Sequence, residues 1–231
     1  MAKKIKVLDQ GYVKLIDKWG SDEGIIEAAR MSTGKGFQGW DKDAKLLAYL
    51  YNNKHMTPFE MAGLTIEVKA PIFVYREWHR HRTQSYNEMS ARYIPLPDEN
   101  YMPTKERIIE GSNLAATNRQ AQGLAALNEV QIDAWLSELE EVYDQAQRVY
   151  DRGLELGIPK EVARLPVPVA RYSRMRASAN LRNWLGFLTL RMDSHAQWEI
   201  RQFANVVGEQ IIASVFPRTW ELFHDGRNWS C

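Results

Sequence analysis

Cysteine is nearly absent from this 231-residue chain, the one copy being Cys231 at the last position. An intrachain disulfide and a cysteine metal cluster are therefore both excluded. A reducing, cytoplasmic compartment fits that usage. Net charge is nearly absent as well: 30 Lys and Arg stand against 29 Asp and Glu, for a formal +1. That balance removes any whole-molecule electrostatic case for nucleic acid or an anionic membrane, so anion recognition has to be local. Hydrophobic runs of membrane-spanning length are missing. The opening MAKKIKVLDQ reaches Asp9 before an apolar stretch develops, so no signal peptide is expected. What is present is an ordinary globular composition, 45% hydrophobic and 26% charged, in a chain long enough to bury a sizeable core. Eight Trp and ten Tyr supply many flat rings for interfaces or planar ligands.

Patterning predicts an α+β fold. Lys4–Asp9 and Tyr12–Asp17 alternate around Gln10-Gly11 as a hairpin. Ser21-Asp22-Glu23 opens a helix that runs to about Met31. Gly34 to Gly39 spells G-x-G-x-x-G, but a helix precedes it where a dinucleotide fold needs a strand, so a surface loop is expected. Asp41–Asn53 is an amphipathic helix with Leu46, Leu47, Leu50 and Tyr51 inward. Leu64–Lys69 alternates as a strand, and from Pro71 a helix with Phe73, Val74 and Trp78 inward leads directly into Arg80. Ile94–Met102 is a loop, and 103–123 is a loop or short helix. From Leu124 to about Leu156, residues Ile132, Trp135, Leu139, Val142, Ala146 and Val149 recur at helical spacing. That long helix is read as core packing, with a subunit interface as a further use. Leu165–Ser178 reads as an extended, arginine-dotted segment, Arg171, Arg174 and Arg176 alternating with apolar or small residues as in a strand with one wet face. Helices are expected at Asn180–Met192 and Trp198–Ser214, then a polar tail. The sum is one domain over 1–231: a small, mostly antiparallel sheet with packed helices, including one long helix at about 124–156.

The densest functional window is 80–93, RHRTQSYNEMSARY. Three arginines supply planar forks suited to phosphates and carboxylates. Glu88 is a lone carboxylate among them, and Coulomb attraction favours its ionised form. A solvated helix face would mix in lysine; here arginine is used every time, with short polar groups between, which is a composition for fixed hydrogen bonds. His79, His81 and His55 do not make a metal site, because a helical His-x-His pair points to different faces and arginines flank it.

Arg80-His81-Arg82, Ser85, Asn87-Glu88, Ser90 and Arg92-Tyr93 fill R-H-R-x-x-S-x-N-E-x-S-x-R-Y, and in this the chain resembles the flavin-dependent thymidylate synthases. The string His55-x-Thr57-Pro58-Phe59-Glu60 and the block Asn180–Arg201, with Leu190-Arg191 and His195-Ala196-Gln197, extend the likeness from about Ser32 to Ile200. The resemblance implies FAD contacts at Ser32, His55, Thr57, Arg80, His81, Arg82, Glu88, Asn180, Arg182 and His195. It implies dUMP contacts at Glu77, Arg80, Glu88, Ser90, Ala91, Arg92, Arg164 and Arg191, with Arg191 against the uracil ring as the catalytic group. Two positions depart from the family's pattern. Glu77, where Gln also occurs, can only accept when ionised. Gly186 stands six residues after Asn180 where the family often has an Asn touching flavin.

The reaction so implied is reductive methylation of dUMP to dTMP, with methylenetetrahydrofolate giving the carbon, FAD the hydride, and NADPH recharging the flavin. The family's sites lie between subunits of a homotetramer. A thiolate route would need a placed cysteine, and Cys231 has no surrounding motif. Ser90 lacks an adjacent base and reads as a phosphate or positioning contact, with nucleophile as the lesser alternative. Electrostatic activation by a guanidinium against the ring is the remaining route. Three rivals stand beside it: a nucleotide- or RNA-binding module without catalysis, a flavin enzyme methylating uracil in another substrate, and a flavin-binding relative without turnover.

Overall fold

The computed structural model describes residues 3–114 and 127–226. In chain order the elements are β1 (Ile5–Val7), β2 (Gly11–Trp19), α1 (Asp22–Arg30), α2 (Trp40–Asn52), a 3-10 turn at Thr57–Met61, β3 (Gly63–Pro71) and α3 (Ile72–Trp78). Then come β4 (Ser85–Glu88), α4 (Lys105–Leu114), α5 (Glu129–Glu155), α6 (Lys160–Ala163), β5 (Tyr172–Asn180) and α7 (Leu181–Arg191). The chain closes with α8 (Trp198–Asn205), a π-helical turn (Val206–Ile212), α9 (Ala213–Val215) and α10 (Pro217–Asp225). Two compact units result, one from the segments up to 70, 74–89 and from 174, the other from 71–73 and 90–173.

The first unit contains the sheet, in the order β1-β2-β3-β5-β4. β1 with β2, β2 with β3 and β4 with β5 are antiparallel. β3 and β5 also run antiparallel, since Leu181 N–H donates to Ala62 O at one end while Ile72 N–H donates to Arg171 O at the other. Period-two alternation decides the faces. Leu64, Ile66, Val68 and Ala70 of β3 and Met175, Ala177 and Ala179 of β5 are buried, while Arg174 and Arg176 are exposed. The α+β expectation and the hairpin hold. The hairpin's turn, however, is Leu8-Asp9-Gln10, with Leu8 at φ 57°. Gly11 lies in β2 instead, where a Cβ would come within 2.6 Å of Val7 O and 2.8 Å of Lys69 O.

Helix ends follow the capping chemistry. Ser21 caps α1 by accepting from Gly24 N–H at 3.1 Å. α10 has no cap from its own preceding residue. Buried Asp22 serves instead, accepting from Arg218 N–H at 2.9 Å, Thr219 N–H at 3.2 Å and Thr219 Oγ1 at 2.6 Å. α10 runs to Asp225, and the last residues of the tail, expected as a polar loop, lie outside the described residues. The loop at 31–39 is held by fully buried Asp43, which pairs with Arg30 and accepts from Gln38 N–H at 2.6 Å.

Two further expectations change. α3 stops at Trp78, and the segment to Gln84 is a turn leading into edge strand β4, so Arg80 does not lie on a helix. Residues 165–170 are turns and irregular backbone, Arg171 makes an isolated antiparallel bridge with Asn100, and β5 begins only at Tyr172.

In the second unit α5 begins after an Asn128–Gln131 capping box, and positions 124–126 lie outside the described residues. Its inward stripe is Ile132, Tyr143, Tyr150 and Gly153. The tyrosines can be buried because Tyr143 Oη donates to Tyr101 O at 3.0 Å and Tyr150 Oη accepts from Leu96 N–H at 3.2 Å. Trp135, Val142 and Val149, expected in the core, are 48%, 58% and 48% exposed. They form a neighbouring stripe at seven-residue spacing. Arg171, expected on a wet face, is fully buried in this unit, donating to Asn100 Oδ1 at 3.0 Å and Pro97 O at 2.7 Å.

Burial raises the pKa of Asp22 above its ordinary 3.8, against the pull of the Thr219 and Arg218 hydrogen bonds. A carboxyl with a raised folded pKa holds its proton more tightly when folded, so its contribution is full below 3.8 and is lost as pH rises through the raised value. Asp22→Asn should remove that component. Urea unfolding of both proteins across the acid range should give a stability difference that changes with pH above 3.8, whereas a constant difference contradicts the assignment.

Candidate active site

The turn after α3 carries Arg80, His81 and Arg82 in the first unit. Its backbone is stitched by His81 N–H to Trp78 O at 3.0 Å and Gln84 N–H to His81 O at 3.3 Å. Tyr86 Oη, from β4, lies 2.7 Å from His81 O. Burial raises that phenol to about 12, so it stays a donor. Trp78 Nε1 donates to Gln84 Oε1 at 3.1 Å beneath the turn. A turn so held turns Arg80, Arg82 and Glu88 outward, and all three are exposed with no side-chain hydrogen bond or ion pair among the described residues.

Arg191, the last residue of α7, reaches the same turn. Its Nε donates to His81 Nε2 at 2.8 Å, its Nη1 to Glu77 Oε2 at 2.8 Å, and its Nη2 to Glu77 O at 2.9 Å. The His81 ring meets Phe187 edge-on at 4.9 Å, and Phe187 stacks on Trp78 at 4.6 Å. Burial, then the Arg191 charge, lowers the His81 pKa to about 4, with Glu77 opposing. His81 is therefore neutral at neutral pH and accepts through Nε2, which puts its proton on Nδ1.

α7 starts where β5 ends. Asn180 Oδ1 caps it by accepting from Asn183 N–H at 3.0 Å. Asn183 Nδ2 donates to Thr83 O at 3.1 Å, tying the helix to the signature turn. Arg182 pairs with Glu60 of the Thr57–Met61 turn. Gly186 is exposed, and a Cβ there would meet nothing within 4 Å. A side chain would fit at the position where the resembled family often carries Asn.

The other expected residues are scattered among local contacts. Ser32 is exposed, its Oγ 3.4 Å from Ala29 O. His55 is exposed with its ring edge-on to Tyr49 at 5.6 Å, and Thr57 is exposed at the start of the 3-10 turn. His195 is exposed in the loop after α7, Nδ1 2.8 Å from Asp193 Oδ1. Ser90, Ala91, Arg92 and Arg164 belong to the second unit. There Ser90 Oγ accepts from Arg92 N–H at 3.3 Å, Arg92 pairs with Glu161 at 3.0 Å, Ala91 is buried and Arg164 is exposed. Cys231 lies outside the described residues. His79 faces Met175 at 3.2 Å while His81 faces Arg191, so the two rings share no ligand position.

The structure thus brings together Glu77, His81 and Arg191. Sequence reading missed this pairing of Glu77 with Arg191, and also that of Glu60 with Arg182. Each joins partners more than 100 residues apart, which no local spacing signals. Glu60 was at least visible as the end of the His55–Glu60 string.

The family described as thymidylate synthase complementing protein matches residues 14–218. A flavin-dependent thymidylate synthase of Thermosipho melanesiensis is 40% identical over 222 residues, covering 95% of this chain and 93% of the relative. One of Thermus thermophilus is 41% identical, covering 96% of this chain and 78% of the relative. Among solved structures, the UMP/dUMP methylase PolB of Streptomyces cacaoi, bound with 5-Br dUMP, superposes with a TM-score of 0.84 at 32% identity, covering 96% of this chain and 97% of that one.

Glycine inside an exposed helix costs roughly 0.5–1 kcal/mol relative to alanine. With open space around Gly186, Gly186→Ala should stabilise the protein by about that amount. Chemical denaturation measures it, and a loss of stability would show that the position is packed.

Proposed function

The chain belongs to the flavin-dependent thymidylate synthase family, and from that membership we propose that it makes dTMP by reductive methylation of dUMP, with methylenetetrahydrofolate as carbon donor and FAD, reduced by NADPH, as hydride carrier. The observation that carries this reading is the Arg191 guanidinium, held by three hydrogen bonds beside the turn that presents Arg80 and Arg82.

The residues fit a large anionic, planar cofactor. Exposed guanidiniums at Arg80 and Arg82 suit its diphosphate, and Ser32, His55, Thr57, His81, Glu88, Asn180, Arg182 and His195 are assigned the remaining contacts. At Gly186 nothing lies within 4 Å of a Cβ, so no side chain blocks that face of α7. When bound, FAD supplies the hydride chemistry.

The protein's own part is binding and charge. Arg80, Ser90, Arg92 and Arg164 hold the dUMP phosphate, Ala91 and Glu88 complete the nucleotide contacts, and Glu77 acts through Arg191. Arg191 stabilises negative charge that develops on the pyrimidine once carbon 5 has gained its methylene. No thiolate is required for this. Such positioning lowers barriers by several kcal/mol. We assign the activity to the cytoplasm and the assembly to a homotetramer over the whole domain 1–231. The exposed Trp135, Val142 and Val149 stripe supports the assembly, because a second copy would remove it from water.

A second reading keeps the chemistry and changes the substrate. The structural likeness to a UMP/dUMP methylase favours UMP as an additional acceptor.

Arg191→Ala should lower kcat for dTMP formation by ~10²–10³ while NADPH still bleaches the flavin. The test is an absorption spectrum, then anaerobic NADPH with and without dUMP, then product assay with dUMP and UMP. A colourless protein that cannot be loaded with FAD overturns the proposal. Val142→Glu with Val149→Glu should break the tetramer into smaller species in sedimentation, and an unchanged mass would free that stripe from the interface.

A further inference from the structure

We infer that Glu77 and His81 are positioning residues that brace the Arg191 guanidinium from two sides, so that it meets the uracil already oriented. This deepens the reading just given and depends on Arg191 facing the pyrimidine.

A guanidinium has five N–H groups. Three of Arg191's are taken, by His81 Nε2, Glu77 Oε2 and Glu77 O. One N–H on each of Nη1 and Nη2 remains for a ligand, and the side chain keeps 15% of its exposure. The brace is itself held. The Glu77 carbonyl is fixed by the helix, since Glu77 belongs to α3. The His81 carbonyl is fixed by Tyr86 Oη, and the His81 ring by Phe187, which rests on Trp78. An arginine otherwise loses several free torsions on meeting its substrate, so prior fixation favours the reacting geometry.

The two braces do different things. Glu77 contributes a charge-assisted hydrogen bond and partly offsets the guanidinium charge. His81 contributes a neutral acceptor, and this works only in the tautomer with Nε2 unprotonated. Its lowered pKa, caused first by burial and then by Arg191, keeps the ring neutral, and the Arg191 Nε donor selects that tautomer. The chain thus explains why Glu is tolerated at 77: the position needs an acceptor toward Arg191, which Glu and Gln both provide.

The test uses two pairs of variants of the full-length, FAD-loaded enzyme. His81→Phe keeps the ring against Phe187 and removes the acceptor; His81→Gln restores an amide oxygen near the position of Nε2. Glu77→Met and Glu77→Gln form the parallel pair and do not alter His81. The apolar member of each pair should lose between ~10 and ~10² in kcat, the size of effect that misplacing a reacting group produces. dUMP Kd should change by less than about threefold, because the phosphate contacts carry most of the binding. The amide member should recover most of the rate. Flavin content and NADPH bleaching without dUMP are measured alongside, so a flavin defect in His81→Phe leaves the Glu77 pair to decide. Wild-type rates in both apolar variants, or amide variants no better than the apolar ones, overturn the inference alone. A wild-type protein that binds FAD and dUMP yet forms no dTMP overturns the catalytic reading and the brace with it.

Discussion

The ion pair between Arg191 and Glu77 joins residues 114 positions apart and sets how α7 lies against the signature turn. α7 is docked at both ends. At its start Leu181 N–H donates to Ala62 O at 2.7 Å, Trp184 Nε1 donates to Leu64 O at 3.0 Å, and Arg182 pairs with Glu60. At its end Arg191 closes on Glu77 and His81. A helix rises about 1.5 Å per residue, so the nine steps from Arg182 to Arg191 span roughly 13 Å. That rod carries Phe187 beneath His81 on the way. The local chemistry is therefore spaced by a rigid element rather than by loops.

The near-zero net charge and the arginine-rich window are consistent once the window is seen as a turn. In a helix its side chains would be spread around an axis. In the turn and edge strand, His81 and Gln84 are drawn down onto Trp78 and Phe187, and Arg80, Arg82 and Glu88 are left outward. Local positive potential arises without a basic protein, which suits a small anionic ligand better than a polymer.

The second unit shows how a polar group can reverse an expectation. Arg171 alternates with apolar neighbours as a wet-faced strand residue would, yet it is fully buried, its Nε on Asn100 Oδ1 and its Nη1 on Pro97 O and beside Asp98, while Nη2 has no hydrogen-bond partner among the described residues. On α5 the tyrosines take the core positions, because each hydroxyl finds a backbone partner. Trp135, Val142 and Val149 are displaced to the flank. Apolar periodicity located the helix; it did not say which of two adjacent stripes would be covered.

By itself the sequence determined the fold class, the hairpin, the start of α1, the long helix and the likeness to one family. Those are local or pattern properties: period-two and 3.6-residue spacing, capping side chains, and a dense run of fixed residue types. Tertiary structure decided that the signature leaves its helix at Trp78, that Asp22 caps α10 from nearly the whole chain length away, and that Glu77 and His81 grip Arg191. Each of these is a hydrogen bond between groups remote in sequence. Such a bond replaces bonds to water, so its net contribution is small, and it forms only where packing has already brought donor and acceptor together.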